Sequence, residues 1–270
     1  MDLGLYGKRA LVTASTGGIG AAAVKMFAAE GAAVIIHGRS VARGRALQAE
    51  IEAAGGKAAL VLGDITSDET ALGVLEPALA AFGGIDILVN NLGHYEPFAK
   101  NWVDATPADF AHSYQVNVIA GVRAIQAVLP GMKDRAWGRI INIASGAYTL
   151  PPPEFPAYGP AKAAVVNLSV GLARALPLSG ITVNTVSPGN TLTETMLSNL
   201  PRIGAANNWP ETDLEEIEKR FVREQWPSPL GRMGRVEEIA ALICFLASNH
   251  AAYITGTNYR IDGGAHATLN

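Results

Sequence analysis

The sequence predicts an α/β fold, a doubly wound parallel sheet with helices on both faces, as a single domain over residues 1–270. Three observations predict it. Short runs that are apolar throughout recur along the chain, helix-length segments separate them, and a glycine-rich turn follows the first run. Strands buried on both faces read as continuous apolar runs, and a parallel neighbour demands a long crossover between strands. The expected strands lie at 9–14, 32–37, 58–63, 85–90, 138–144 and 181–187, with helices at 18–30, 40–54 and 67–82 between the early ones. Residues 190–230 depart from this alternation as a long insertion after the sixth strand. Within it, Thr212 and Glu215 have the spacing of a capping box. Leu214, Ile217 and Phe221 share one helical face, and the acids between them read as the solvated face. Flanking prolines, with Trp209 and Trp226, predict a mobile cover over something apolar.

Composition narrows the function. The chain is 49% hydrophobic and 17% charged, with a net charge of −3, so a large core is expected. It has no lysine/arginine run, and nucleic acid is not expected as a partner. The first residues lack the basic and apolar regions of a signal peptide, and apolar runs such as 240–247 are too short to span a bilayer. The expected location is the cytoplasm, with no membrane partner. Cys244 is the one cysteine, which excludes an internal disulfide, and its apolar neighbours predict burial. No CxxC or HExxH spacing occurs, so no metal is expected.

The first turn reads Thr13-Ala14-Ser15-Thr16-Gly17-Gly18-Ile19-Gly20. A strand, a glycine-rich turn and a helix in succession point backbone N–H groups and the positive helix end at an anion. This is a phosphate loop of the Rossmann type, although its spacing is not GxGxxG. After the second strand an NAD site would place a carboxylate for the ribose 2′-hydroxyl. This chain has Gly38 and Arg39, with Arg43 one helical turn on. A guanidinium suits a 2′-phosphate, so NADP(H) is expected as cofactor, with NAD(H) as the alternative.

Tyr158 and Lys162 stand four residues apart, on one helical face. A phenol ionises at about pH 10, too high for efficient proton transfer near neutrality, and a nearby ammonium favours its phenolate. Pro160 fits only a first helical turn, which places Tyr158 beside the helix start, near the strand ends. Taken alone, the pair reads as a buried tyrosine beside a surface lysine.

The remaining motifs reverse that reading. Ser145 closes the strand "GRIINIAS", "NNLG" (90–93) closes the fourth strand, Asn117 lies in a helix, "SPGNTLT" (187–193) closes the sixth strand, and "RIDGG" (260–264) lies near the end. From Gly7 to Gly264 the chain resembles the short-chain dehydrogenase/reductase family, in its single-domain subfamily, including members that reduce 3-oxoacyl carrier proteins. The resemblance implies Asn117, Ser145, Tyr158 and Lys162 as the catalytic set. It implies cofactor contacts from Thr13, Ser15, Thr16, Gly18, Ile19, Gly20, Arg39, Asp64, Ile65, Asn91, Gly93, Tyr158, Lys162, Pro188, Gly189, Thr191 and Thr193. It also implies a homotetramer or dimer; the apolar breadth of 110–132 and 157–178 agrees with a second buried face.

The implied mechanism follows. Ser145 holds the substrate oxygen, Tyr158 gives or takes its proton, Lys162 tunes Tyr158 and holds the nicotinamide ribose, and Asn117 holds a water linking Lys162 to solvent. Enoyl reductases of the family space Tyr and Lys more widely. Two departures are visible. Ala14 replaces the first glycine of the loop and fits at negative φ; Gly17 is expected to restore room near the phosphates. Leu92 replaces alanine and is expected to tighten the floor under the adenosine.

The expected pocket comprises His94, Tyr95, Ser145, Tyr148, Leu150, Phe155, Leu192, Met196 and Leu197. It is mostly apolar and has no lysine or arginine, which predicts a small-molecule carbonyl or alcohol substrate that is neutral and fairly hydrophobic. Two alternatives stand beside this: a 3-oxoacyl-thioester reductase and a catalytically silent dinucleotide-binding regulator. Against the first, the positions that match carrier-binding arginines of the family are Ala136 and Ser179, flanked at the former by Arg135 and Arg139.

Overall fold

The computed structural model describes residues 2–94 and 101–267. Its centre is one parallel sheet of seven strands: β1 (Arg9–Val12), β2 (Ala33–Gly38), β3 (Lys57–Leu62), β4 (Ile87–Asn90), β5 (Gly138–Ile143), β6 (Ile181–Pro188) and β9 (Asn258–Ile261). A separate pair is formed by β7 (Thr191–Leu192) and β8 (Gly234–Arg235). The order across the main sheet is β3-β2-β1-β4-β5-β6-β9. The chain winds outward from β1 in both directions, so the crevice between the C-terminal ends of β1 and β4 is the switch point where such sheets bind ligands.

The helices are α1 (Gly18–Ala29), α2 (Val41–Ala53), α3 (Asp68–Ala81), α4 (Pro107–Tyr114), α5 (Ala120–Asp134), α6 (Tyr158–Arg174), α7 (Glu194–Ala206), α8 (Leu214–Glu224) and α9 (Val236–Ala247). On one face of the sheet, Phe27 of α1, Leu47 of α2 and Ile243 of α9 pack with Ile36, Val89 and Val186. On the other, Val74 of α3, Ile125 of α5 and Leu168 of α6 pack with Leu11, Ile35, Leu88 and Ile140. The doubly apolar strand runs therefore bury both faces. Cys244 is buried in the first of these clusters, as expected. No helix among the described residues is long and apolar enough to cross a membrane.

The end of the sheet away from the crevice is tied by charge. Asp86 receives the Arg9 guanidinium at 2.6 Å and Arg135 Nε at 3.0 Å. Burial raises the Asp86 pKa, but the hydrogen bonds and charges of Arg9 and Arg135 prevail and hold it below the usual carboxylate range. Arg139 is buried and lies 4.4 Å over the Trp137 ring. The two arginines that flank Ala136 are thus built into the fold.

The 190–230 insertion folds on a core of its own, in which Leu200, Ile217, Val222 and Met233 pack with Leu192, Met196, Trp209 and Phe221. Two expectations need correction here. The N-cap of α8 is Asp213, not Thr212; its carboxylate accepts from Glu215 N and Glu216 N. A carboxylate one residue on offers two acceptors to the same free N–H groups and prevails. The acidic face is also not wholly solvated. Glu218 is buried, accepts from Met233 N at 3.0 Å and Arg235 Nη1 at 2.7 Å, and thereby fastens α8 to β8.

Candidate active site

The β1–α1 turn fits an anion. The α1 N-cap is Gly17, no side chain caps the helix, and no acid stands in its first turn. A Cβ at Gly20 would lie 2.6 Å from Asn91 Nδ2 and 2.7 Å from Ser15 Cα, so only glycine allows this close approach. Gly18 has φ +56. Gly17, by contrast, is extended at φ −176, and a Cβ there would meet nothing closer than Arg43 Nη1 at 3.7 Å. Arg43 of α2 and Glu194 of α7, whose Oε2 would stand 3.9 Å from that Cβ, both reach the mouth of the turn.

Ala14 corrects an expectation: its φ is +51, in the left-handed region rather than at negative φ. The physical reason is His37. Ala14 N donates to His37 Nδ1 at 3.1 Å, and His37 Nε2 lies 3.3 Å from Gly63 O. Ser15 N donates to His37 O at 2.7 Å, and His37 N donates to Ser15 Oγ at 3.0 Å. One buried imidazole therefore joins the phosphate turn, β2 and the start of the β3–α3 connection. That connection carries Asp64, which accepts from Thr66 N at 2.8 Å, and Ile65, which is buried. Thr13 and Asn91 are also spent inside the protein. Thr13 Oγ1 accepts from Asn91 N and Leu92 N, and Asn91 Nδ2 donates to Thr13 O and Ala14 O. These two shape the crevice wall by joining the ends of β1 and β4.

Leu92 does not floor the adenosine side. It packs against the core under α5 and lines a small internal cavity with Asn90, Asn117, Ile125 and Val165. The reason is register: with Asn91 held toward the turn, the next side chain points down into the core.

Asn117 sits in a π-helical turn, Gln115–Ile119, between α4 and α5. Such a turn shifts backbone pairing by one residue and often marks a functional site. Asn117 Nδ2 donates to Ser113 O at 2.9 Å and to His94 O at 2.8 Å, and its Oδ1 accepts from His94 N at 3.0 Å. The amide thus pins the backbone of His94 in place beside Gly93.

Ser145 follows β5 and starts the short turn Gly146–Tyr148, which packs on α6. Its Oγ accepts from Ala147 N at 3.2 Å, which leaves its proton free for another acceptor. Tyr158 opens α6, and Pro160 falls in the first turn as expected. Lys162, one turn on, is buried; its Nζ donates to Ile143 O at 3.0 Å and lies 5.6 Å from the Tyr158 ring centre. Burial alone lowers its pKa to about 8. A Cβ at Gly93 would stand 2.8 Å from Lys162 Nζ and 3.2 Å from Asn117 Oδ1. Lysine and asparagine therefore converge on one glycine. Fold and sequence together bring Asn117, Lys162 and Gly93 to a common point, with the Tyr158 ring beside Lys162.

After β6, Pro188 is buried, and Gly189 packs so closely on Asp262 that a Cβ would lie 2.8 Å from its Cα. Thr191 Oγ1 donates to Gly189 O, and Thr193 caps α7 by accepting from Met196 N. Thr193 Cγ2 lies 3.4 Å from the Cβ position of Gly18, which brings the insertion down onto the phosphate turn. Among the expected pocket residues, Tyr148 and Phe155 are half-buried, Leu150 and Leu197 are exposed, and Leu192 and Met196 pack into the insertion's own core. Tyr95 lies outside the described residues.

A family model described as enoyl-(acyl carrier protein) reductase matches residues 13–266. The oxidoreductase YvrD of Bacillus subtilis (strain 168) is 38% identical over 271 residues, covering 100% of both chains. The chain is a short-chain dehydrogenase/reductase. It is an oxidoreductase of the alcohol–ketone kind. Among solved structures of this family, L-sorbose reductase from Gluconobacter frateurii, complexed with NADPH and L-sorbose, has a TM-score of 0.92 at 32% identity and covers 100% of both chains. A 3-oxoacyl (acyl-carrier-protein) reductase from Agrobacterium tumefaciens C58, with NADP bound, has a TM-score of 0.85 at 34% identity, covering 97% of this chain and 96% of that one.

Two features of this dehydrogenase/reductase escaped the sequence reading. One is His37, which had no motif around it. The other is a pair near the end of the chain. His266 is buried, its Nδ1 lies 2.7 Å from Asp262 Oδ2, and its ring packs on Gly146, directly after Ser145. The repeated spacing of four between Asp262 and His266 was the available signal.

The pairing at Ala14 requires a neutral His37 with a bare Nδ1. Burial lowers its pKa, outweighing the opposing effects of the Gly63 carbonyl and Asp64. The unfolded chain takes up this proton at about pH 6.5 and the folded chain lower, so the stability contributed is whole above that pH and is lost as pH falls through the folded value. His37→Phe should lower unfolding stability at mildly alkaline pH by about 1–3 kcal/mol. It should also flatten the decline seen on mild acidification, read by urea unfolding across pH; an unchanged acid limb would contradict the assignment.

Proposed function

We propose that this enzyme interconverts a ketone and a secondary alcohol with NADP(H), on a neutral and fairly hydrophobic substrate, with Tyr158 as the acid/base. The observation that carries this reading is the buried Lys162 ammonium beside Tyr158. A positive charge held out of water favours the phenolate, so Tyr158 exchanges a proton near neutrality where an isolated phenol does not. Ser145, with a free hydroxyl proton, donates to the substrate oxygen. Tyr158 Oη gives that oxygen a proton in reduction and takes it back in oxidation. The bound nicotinamide supplies or accepts the hydride at the carbon. Lys162 holds the charge balance of this exchange, and Asn117 holds the His94 backbone and the wall beside Gly93.

The turn at Gly17, Gly18 and Gly20 would hold the cofactor's pyrophosphate; Arg39 and Arg43 would hold a 2′-phosphate. The approach of Arg43 to Gly17 supports the second point. The solved neighbours named with NADPH and NADP agree with it. As a sorbose reductase and a 3-oxoacyl reductase they also favour carbonyl chemistry over C=C reduction, although the matched family model is described as an enoyl reductase. The family places its Tyr and Lys further apart for enoyl reduction than the four residues here. A carrier-bound substrate is disfavoured because Arg135 is taken by Asp86 and Arg139 is buried.

Two outcomes test the proposal. Tyr158→Phe should lower turnover of ketone panels with NADPH by at least about 10²-fold while NADPH titration by fluorescence is nearly unchanged; full turnover would sink the assignment. Replacing Arg39 and Arg43 together with alanine should reduce the NADPH/NADH ratio of kcat/KM by about 10-fold or more. An unchanged ratio would remove the arginines from cofactor choice.

A further inference from the structure

Asp262, in the "RIDGG" stretch, and His266 form a carboxylate–imidazole pair to which the proposed function gives no role. The His266 side chain is 1% exposed. Asp262 Oδ2 lies 2.7 Å from His266 Nδ1 and accepts from His266 N at 3.2 Å, while Oδ1 accepts from Gly264 N at 2.9 Å. Arg260 Nε stands 3.8 Å from the same carboxylate. An imidazole beside a carboxylate keeps its proton on the facing nitrogen, here Nδ1, so the neutral ring presents a lone pair at Nε2.

That Nε2 is buried and has no hydrogen-bond partner among the described residues. Buried polar atoms are rarely left so, and each asks for a ligand or a reason. Its place supplies the reason. A Cβ on Gly146 would lie 2.9 Å from Nε2, so the ring occupies the space beside the residue that follows Ser145. On the other side, Asp262 backs onto Gly189, next to Pro188. The pair therefore lies between the serine turn and the residue that follows β6. Trp226, from the insertion, meets the His266 ring edge-on at 5.9 Å.

We propose that His266 Nε2 is a substrate-reading acceptor for a hydroxyl one or two carbons from the reacting carbonyl, so that the enzyme prefers hydroxyketones and the corresponding diols or polyols. The inference rests on the ketone–alcohol reading and sharpens its substrate class. Ser145 and Gly146 are consecutive, so the imidazole stands against the residue next to the serine that would hold the substrate oxygen. A lone pair on a neutral ring takes an O–H donor and repels a carboxylate or a second carbonyl, so the class is hydroxylated and uncharged.

The test compares 1-hydroxy-2-butanone with 2-butanone, using NADPH, in the wild-type protein and in His266→Phe, which keeps a ring of similar size without Nε2. Wild type should favour the hydroxyketone in kcat/KM. The variant should lose that preference by about 10-fold or more, because a site built around a hydroxyl discriminates strongly against its absence. An equal loss on both ketones, the mark of a merely structural residue, overturns the inference, as does an unchanged preference. Where His266→Phe does not unfold cooperatively, His266→Met carries the same comparison. Wild-type turnover of 2-butanone with no preference for its hydroxylated partner overturns the inference and leaves the ketone reading standing. Turnover of neither overturns both.

Discussion

One buried positive charge shapes the site. The Lys162 ammonium has left water almost completely and donates to a backbone carbonyl, Ile143 O. Removing an ammonium from water is costly, and the lowered pKa of about 8 records that cost. The neighbourhood is arranged to keep it. β5 supplies the carbonyl, α6 supplies the lysine one turn after Tyr158, and Gly93 has no side chain because Nζ passes too close to allow one. Asn117 then fixes the chain next to that glycine, at the cost of a widened helical turn. Each feature would be a minor oddity in isolation; around one desolvated charge they form a consistent set.

The second constraint is rigidity at both ends of the strands. Away from the crevice, Asp86 gathers Arg9 and Arg135, and Arg139 stacks on Trp137. At the crevice, His37 and Thr13 bind the phosphate turn to β2, β3 and β4. The insertion after β6 is built separately, on its own core and with Glu218 as an internal fastener. It touches the site at few points, Thr193 near Gly18 and Trp226 near His266 among them.

Much of this was legible in the sequence. The apolar runs gave the strands because doubly buried strands carry no alternation, and Pro160 located the start of α6 because a proline is tolerated there. The less legible parts depend on contacts between residues distant in the chain. The left-handed Ala14 depends on His37, 23 residues away. The π-turn at Asn117 depends on His94, and the direction of Leu92 depends on Asn91 being held by Ala14 O. The α8 cap shows a local limit: Thr212 and Asp213 are both good caps, and only the backbone decides between them. His266 was hidden because an isolated histidine in a sequence says nothing of the glycine it packs on.

The most direct measurement is the pH dependence of kcat for alcohol oxidation at saturating NADP⁺ in the wild type and in Lys162→Met. If the buried ammonium sets the proton affinity of Tyr158, the pH of half-maximal activity should rise by about one unit or more in the variant, with activity partly regained at higher pH. A profile that keeps its midpoint and falls only in height would contradict the account.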